Sequence, residues 1–217
     1  TDLIEGGSLE RYLKEKKKLT ELDAKFYFAE LVVALSCLNE KNVTHRDIKP
    51  SNIMLDREGH VKVMDFGLAT TRRNNLVLVC GTAEYIPPEV LSSKSWDAYT
   101  LDRYALGILL YRMLYGVTPF EDDNAQFVFI NVLSSKINFP QIKNSSTGEA
   151  LEISDDAKSL ILSLVDPDPG KRLTFAEIKK HRWLQNVNWE DVRNRKLIPP
   201  FQPLSAVDGY TSRPIPL

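Results

Sequence analysis

Apolar positions first fall into a helical rhythm between Thr20 and Lys41. Ala24, Phe28, Leu31, Leu35 and Leu38 recur at spacings of three and four, which predicts one long helix over 20–41. Thr20 with Asp23 reads as a capping box at its start. Two short apolar runs, Ile53–Leu55 and Val61–Val63, bracket the turn-forming DREGH and predict a pair of strands. Residues 65–89 hold no period and read as a long ordered loop, which inside a compact domain is usually functional or disordered. At 100–115, TLDRYALGILLYRMLY is apolar around most of the helical circumference, so a buried central helix is expected. Helical patterns follow at about 123–135, 154–165 and 174–183. The second starts at Ser154 with Asp155 and Asp156 in its first turn, and the third with the capping box Thr174–Glu177. KNSSTGE, Lys143–Glu149, reads as a flexible insert. From about Asn186 the pattern is loop-like and proline-rich, so this tail is expected to lie over another surface. The predicted fold class is mainly α with a few short β-strands, without internal repeats.

Composition narrows the picture by exclusion. A chain of 217 residues with 43% hydrophobic content suits one packed domain, or a domain plus a tail. A net charge of −1 supplies no field that would draw nucleic acid or an anionic membrane. Cys37 and Cys80 stand at unrelated spacing, so neither a disulfide framework nor a zinc site is legible. Free thiols suggest a reducing, intracellular setting, cytoplasmic or nuclear. No apolar run approaches the roughly 18–20 residues that span a bilayer, and the acidic opening TDLIEGGSLE lacks the apolar core of a signal peptide.

The candidate chemistry is concentrated in THRDIKPSNIMLD, Thr44–Asp56, where Asp47, Lys49 and Asn52 crowd into one short loop. Singly, each has an ordinary reading as a turn aspartate, a surface lysine or an Asx turn. Together they suit a site that handles a hydroxyl proton, a phosphate and a metal ion. DFG follows at Asp65–Gly67 and GTAEYIPPE at Gly81–Glu89. HRD-x-x-x-x-N, DFG and a variant of APE, in this order, resemble the protein kinase superfamily.

That resemblance implies a kinase-like large lobe and phosphoryl transfer, which is mostly positioning and charge neutralisation. In it Asp47 is the base for the substrate hydroxyl, a role worth typically ~10²–10⁴-fold. Lys49 neutralises the moving phosphoryl group, and Asn52 and Asp65 offer the hard oxygens that Mg²⁺ prefers. ATP and Mg²⁺ are the implied cofactors. Gly67 lets the backbone turn after Asp65. HRDIKPSN resembles the serine/threonine class, in which Thr82 bonds to Asp47 and Lys49. Asp102 matches the central-helix aspartate that holds the HRD backbone, and His45 and Phe66 match the lower part of the stacked regulatory spine. Glu89 and Arg172 match an ion pair that, if buried, costs ~3–5 kcal/mol to break from one side. Asp2 and Ile4 in the hinge-like start, and Met54 with Ile53 and Leu55, correspond to the adenine site. VNWEDVRNRKLIPPFQP, Val187–Pro203, resembles the start of the C-terminal tail of AGC kinases. The implied division is a large lobe at 1–185, with hinge-like residues 1–7 and activation segment 65–89, and an AGC-like tail at 186–217.

Three departures stand against the family pattern. No G-x-G-x-x-G or strand lysine precedes Asp47, and Lys16–Lys18 lie in a solvated charge run. The expectation is a large lobe without its small lobe, whether truncated or naturally absent, and inactive alone. Leu78 stands where AGC kinases carry a phosphorylatable threonine, which leaves Arg46 without its usual phosphate partner; Thr70 and Thr71 come too early in the loop. Ser8, Ser51 and Arg112 occupy positions where basic-directed kinases carry acids, so poor tolerance of substrate arginine is expected. The alternative is that Arg112 pairs with Glu121 or Asp122. Smaller departures are Pro87 for the alanine of APE, and Arg103–Tyr104 where an aromatic pair is common. The expected partners are proteins with Ser or Thr acceptors, and the missing lobe or a regulatory partner. The competing function is a non-catalytic, kinase-like interaction protein.

Overall fold

The computed structural model describes residues 6–71, 81–92, 96–143 and 150–203. Asp2, Ile4 and Leu78 lie outside them, as do residues 144–149 of the expected insert. Helix α1 (Leu9–Lys16) starts at Ser8, whose hydroxyl accepts the Arg11 N–H. Helix α2 (Glu21–Glu40) follows the predicted span and is capped by Thr20, which accepts the Asp23 N–H at 3.1 Å. Its apolar face, with Phe28, Leu31 and Leu35, is fully buried.

Strands β1 (Ile53–Leu55) and β2 (Val61–Val63) pair antiparallel with Met54 opposite Lys62. The turn between them is held from a distance. Glu30 of α2 accepts from the Val61 N–H at 2.7 Å and lies 2.5 Å from His60 Nδ1. This buried pair joins the longest helix to the hairpin, and no local sequence pattern announces it.

The segment expected as loop at 65–89 contains 3₁₀ turns at Phe66–Leu68 and Ala83–Tyr85, and helix α3 (Pro88–Ser92) begins at its end. Helix α4 (Leu101–Tyr115) is the predicted central helix, and every residue except Arg103 and Arg112 is buried. It packs against α2, and against a further helix at Asp155–Leu164. Gly107 permits the second contact: a Cβ there would stand 2.7 Å from Leu164 Cβ. Helix α5 (Ala125–Ser134) precedes a short pair, β3 (Ile142–Lys143) with β4 (Ala150–Leu151). The Asp155–Leu164 helix is α6, capped by Ser154.

Two readings of the C-terminal third need correction. The helix expected over 174–183 stops after four residues, α7 (Phe175–Ile178), although its capping box forms. Bonds of i→i+3 type from Lys180 and His181 tighten the end, and a 3₁₀ turn at Arg182–Leu184 follows. The redirected chain buries Trp183, whose indole N–H reaches Glu21 at 2.9 Å. The loop expected from Asn186 contains a short helix, α8 (Trp189–Arg193), capped by Asn188 and packed on α2. Five residues are too few for a period to show. Beyond it the described part of the tail, to residue 203, meets another surface: Phe201 stacks on Tyr12 with ring centroids 4.6 Å apart.

Candidate active site

The loop at 45–52 is built from its backbone outward. Arg46 takes a left-handed conformation with φ of 69°, which costs an L-residue roughly 1–2 kcal/mol. Asp102, on the first turn of α4, offsets this by accepting the N–H of His45 at 2.7 Å and of Arg46 at 2.9 Å. Burial pushes the Asp102 carboxyl above the usual carboxylate range, and the two backbone donors pull against that shift. His45 is fully buried, with Nδ1 accepting the Asp47 N–H at 3.3 Å and Nε2 within 2.8 Å of Met64 O. That pattern puts the ring proton on Nε2. Phe66 meets the same imidazole edge-on at 5.0 Å, so the two expected spine residues are in contact.

Asp47 is the centre of the polar cluster. Its Oδ2 lies 2.9 Å from Lys49 Nζ and accepts from Asn52 Nδ2 at 2.8 Å. Thr82 Oγ1 receives Lys49 Nζ at 2.9 Å and donates to Asp47 Oδ1 at 3.4 Å. Four side chains that the sequence separates by up to 35 positions are thereby joined. Extended backbone at Lys49 (φ −159°, ψ 164°) turns its side chain to the Asp47 side, and Pro50 opens the 3₁₀ turn that delivers Asn52.

Asn52 spends both amide hydrogens on Asp47, on the carboxylate and on the main-chain O, each at 2.8 Å. Its Oδ1 is therefore the atom left to face a cation. Asp65 is exposed and left-handed (φ 61°), and its carboxylate accepts the Gly67 N–H at 3.2 Å. One amide oxygen and one exposed carboxylate fit Mg²⁺, which usually takes one or two carboxylates plus phosphate and water oxygens. Consistent with so sparse a donor set, the described residues hold no group of three or more His, Cys, Asp or Glu placed for a metal. A main-chain bridge between Thr44 and Thr70, at 2.9 Å each way, ties the start of the 45–52 loop to the segment after DFG.

Glu89 and Arg172 form a bidentate pair with both contacts at 2.6 Å. Arg172 also donates to Asp166 O and stacks over the Tyr104 ring. Arg103 donates to the carbonyls of Arg172 and Leu173, which gives this departure from the family pattern a structural use.

The three positions expected to set specificity divide. Ser8 caps α1 and bridges to half-buried Met54 of β1. Ser51 is exposed on a cleft of about 320 Å³ that also takes in Lys49, Thr82 and Arg112. Arg112 donates to Gly116 O at the end of α4 and lies 3.8 Å from Glu121 Oε2, so the alternative pairing is the one present. Glu10 and Glu84 also line this cleft, and sequence reasoning missed them. Glu84 accepts the Thr118 hydroxyl at 3.1 Å. Glu10 lies on α1 and Glu84 on the 3₁₀ turn at Ala83–Tyr85, so no local spacing could have found them.

The comparisons follow the same lines. A cAMP-dependent protein kinase catalytic subunit PRKX from Homo sapiens is 38% identical over 216 residues, covering 97% of this chain and 57% of that protein. A serine/threonine-protein kinase Sgk1 from Rattus norvegicus is 38% identical over 210 residues, covering 93% of this chain and 46% of that protein. A cAMP-dependent protein kinase catalytic subunit from Dictyostelium discoideum is 36% identical over 216 residues, 97% of this chain and 32% of that protein. The chain thus spans about a third to three fifths of the length of these relatives. The family model for the protein kinase domain matches residues 1–184 in one stretch. With a match running through loop, hairpin, central helix and α7 alike, the chain belongs to the protein kinase domain family.

Proposed function

We propose that this chain is the large lobe of an AGC-like serine/threonine protein kinase, which transfers the γ-phosphoryl group of ATP to Ser or Thr hydroxyls of protein substrates inside the cell. The observation that carries the reading is the Asp47 carboxylate, held by Lys49, Asn52 and Thr82 in one hydrogen-bonded cluster. The substrate oxygen attacks the γ-phosphorus, its proton passes to Asp47, the bond to the β-phosphate bridging oxygen breaks, and ADP leaves. Lys49 supplies positive charge beside the transferring group. Asn52 Oδ1 and Asp65 are the groups that would hold Mg²⁺, which neutralises phosphate charge when bound. Thr82 holds the base and the lysine in register. The tail over α1 and the relatives at 36–39% identity support the AGC-like assignment. Met54, with Asp2 and Ile4, is the proposed adenine contact.

The chain as it stands carries no G-x-G-x-x-G, so alone it is expected to turn over poorly. The alternative is an interaction protein that uses the lobe without catalysis. Radiolabelled transfer from γ-phosphate-labelled ATP to a Ser/Thr peptide library decides the matter. It is run on the chain alone and on the chain joined behind a kinase small lobe. Transfer by the joined protein near the typical ~1–100 s⁻¹, abolished by Asp47→Asn, supports the kinase. Mg-ATP binding without transfer in the joined protein favours the interaction reading.

A further inference from the structure

Six of the ten large apolar side chains that stand exposed among the described residues fall into two patches. The first is the outer side of α5. Val128 and Val132 are buried, while Phe127, Phe129, Ile130 and Leu133 are exposed at 51%, 38%, 56% and 50%. Ile130 stands three residues from both Phe127 and Leu133, and Phe129 four from Leu133, so the four form one face. The loop entering α5 adds exposed Glu121, Asp122 and Asp123 at its edge. The second patch follows α8. Residues 193–198, RNRKLI, are an unbroken exposed run in which Leu197 and Ile198 are 37% and 80% exposed.

The second patch is rigidly presented. Asn194, Arg195 and Lys196 donate their main-chain N–H groups to the carbonyls of Glu190, Val192 and Asp191 at 2.9, 3.1 and 2.9 Å. The Arg195 side chain donates to Asp56 at 3.1 Å. Pro199 is buried against the hairpin turn, where a Cβ on Gly59 would stand 2.9 Å from Pro199 Cβ. The chain is thus fixed on both sides of Leu197 and Ile198, and two large apolar groups are held outward between the fixed points. Little ordering is left to oppose their burial by a partner. Single exposed apolar residues such as Leu22 need no explanation, whereas grouped ones mark a surface for interaction.

The two patches complement each other. Both present large apolar groups, one beside Glu121, Asp122 and Asp123, the other beside Arg193, Arg195 and Lys196. Both are exposed in the same chain, so neither covers the other within it. Pairing like with like sets acids against acids or bases against bases. Even an antiparallel pair of α5 faces would answer the three acids with one base, Lys136, beyond the far end of the helix. A net charge of −1 leaves no strong field to keep copies apart.

We propose that this chain associates with itself head to tail, the 193–198 segment of one copy seating Leu197 and Ile198 on the α5 face of the next. A contact between two different surfaces makes a closed ring or an open series, according to whether its rotation closes. The patches are small, which sets the contact in the weak, transient class of interfaces.

Sedimentation velocity of the whole chain over a concentration series tests this. The mean mass should rise with concentration, and Ile130→Asp and Ile198→Asp should each weaken self-association at least tenfold. An equimolar mixture of these two variants retains one intact α5 face and one intact tail segment, and it should form a one-to-one dimer and nothing larger. Phe127→Asp should act as Ile130→Asp does. Asp122→Asn combined with Asp123→Asn should weaken association about threefold, the scale of exposed charge pairs. All these positions are exposed, and an unchanged melting temperature verifies that each variant folds. A chain that stays monomeric at millimolar concentration would overturn the proposal. So would association that Ile198→Asp leaves intact, which would pair α5 with itself, or a mixture of the two variants that stays monomeric. None of these readouts involves phosphoryl transfer, so failure of the kinase reading remains a separate result.

Discussion

Asn52 donates one amide hydrogen to the Asp47 carboxylate and the other to the Asp47 main-chain O, both at 2.8 Å. The contact fixes both the position of the proposed base and the direction of the proposed metal-facing oxygen. A side chain that places its neighbour while turning its own acceptor outward couples proton transfer to charge neutralisation in one rigid unit.

Asp47→Asn in the chain joined to a small lobe should reduce phosphoryl transfer by about 10²–10⁴-fold and shift the melting temperature little. Steady-state assay beside a thermal melt checks both. Activity within a factor of two of the parent would remove Asp47 from the role of base.

Asp102→Ala should act on stability first. It leaves two buried N–H donors, of His45 and Arg46, without their acceptor, at ~1–3 kcal/mol each. Asp102→Asn keeps one acceptor oxygen and should lose less. Urea unfolding gives the order, and equal midpoints for both variants would contradict it.

Removing one member of the Glu89–Arg172 pair, as in Arg172→Ala, should cost ~3–5 kcal/mol, because a buried charge is left alone. The double substitution Glu89→Leu, Arg172→Met should cost clearly less than the sum of the two single changes. A double-mutant cycle by chemical denaturation measures this, and additivity would show that the pair is not coupled.

Glu21 gives a pH dependence with a definite sign. Burial would raise its carboxyl, but the Ser154 N–H, the Trp183 indole N–H, the Ser154 hydroxyl and nearby Lys25 outweigh it and hold the group below the usual carboxylate range. A carboxylate whose pKa is lower folded than unfolded binds fewer protons in the native state. Its stabilisation is present above the unfolded value of about 4.3 and is lost as pH falls through the lower folded value. Glu21→Gln should therefore flatten the acid limb of melting temperature against pH below about 4.5 and leave its shape at pH 6–8 unchanged. A parallel downward offset of the whole curve, with the acid limb intact, would assign the loss to packing instead.

Much of this protein is legible without a structure because the signals are local. The three-and-four spacing sets α2, the all-round apolar stretch sets α4, and turn residues between β-runs set the hairpin, since helix and strand periods act over a few residues. Asp47, Lys49 and Asn52 stand close in sequence for the same reason: one loop of nearly fixed backbone has to present all three. Thr82 and Asp102 were identified by resemblance alone, because 35 and more positions of chain separate them from the groups they hold. Other features exist only once the chain is packed. The chain turns after α7 and the Trp183 indole meets Glu21, and Arg112, at the cleft, is held by Gly116 O and Glu121. Glu30 finds His60, and α8 forms on α2 although five residues carry no readable period. The pattern at 123–135 announces an apolar helix but not which side stays uncovered. That is decided by neighbours brought from distant parts of the chain, through contacts whose free energy depends on position in space and leaves no spacing in the sequence.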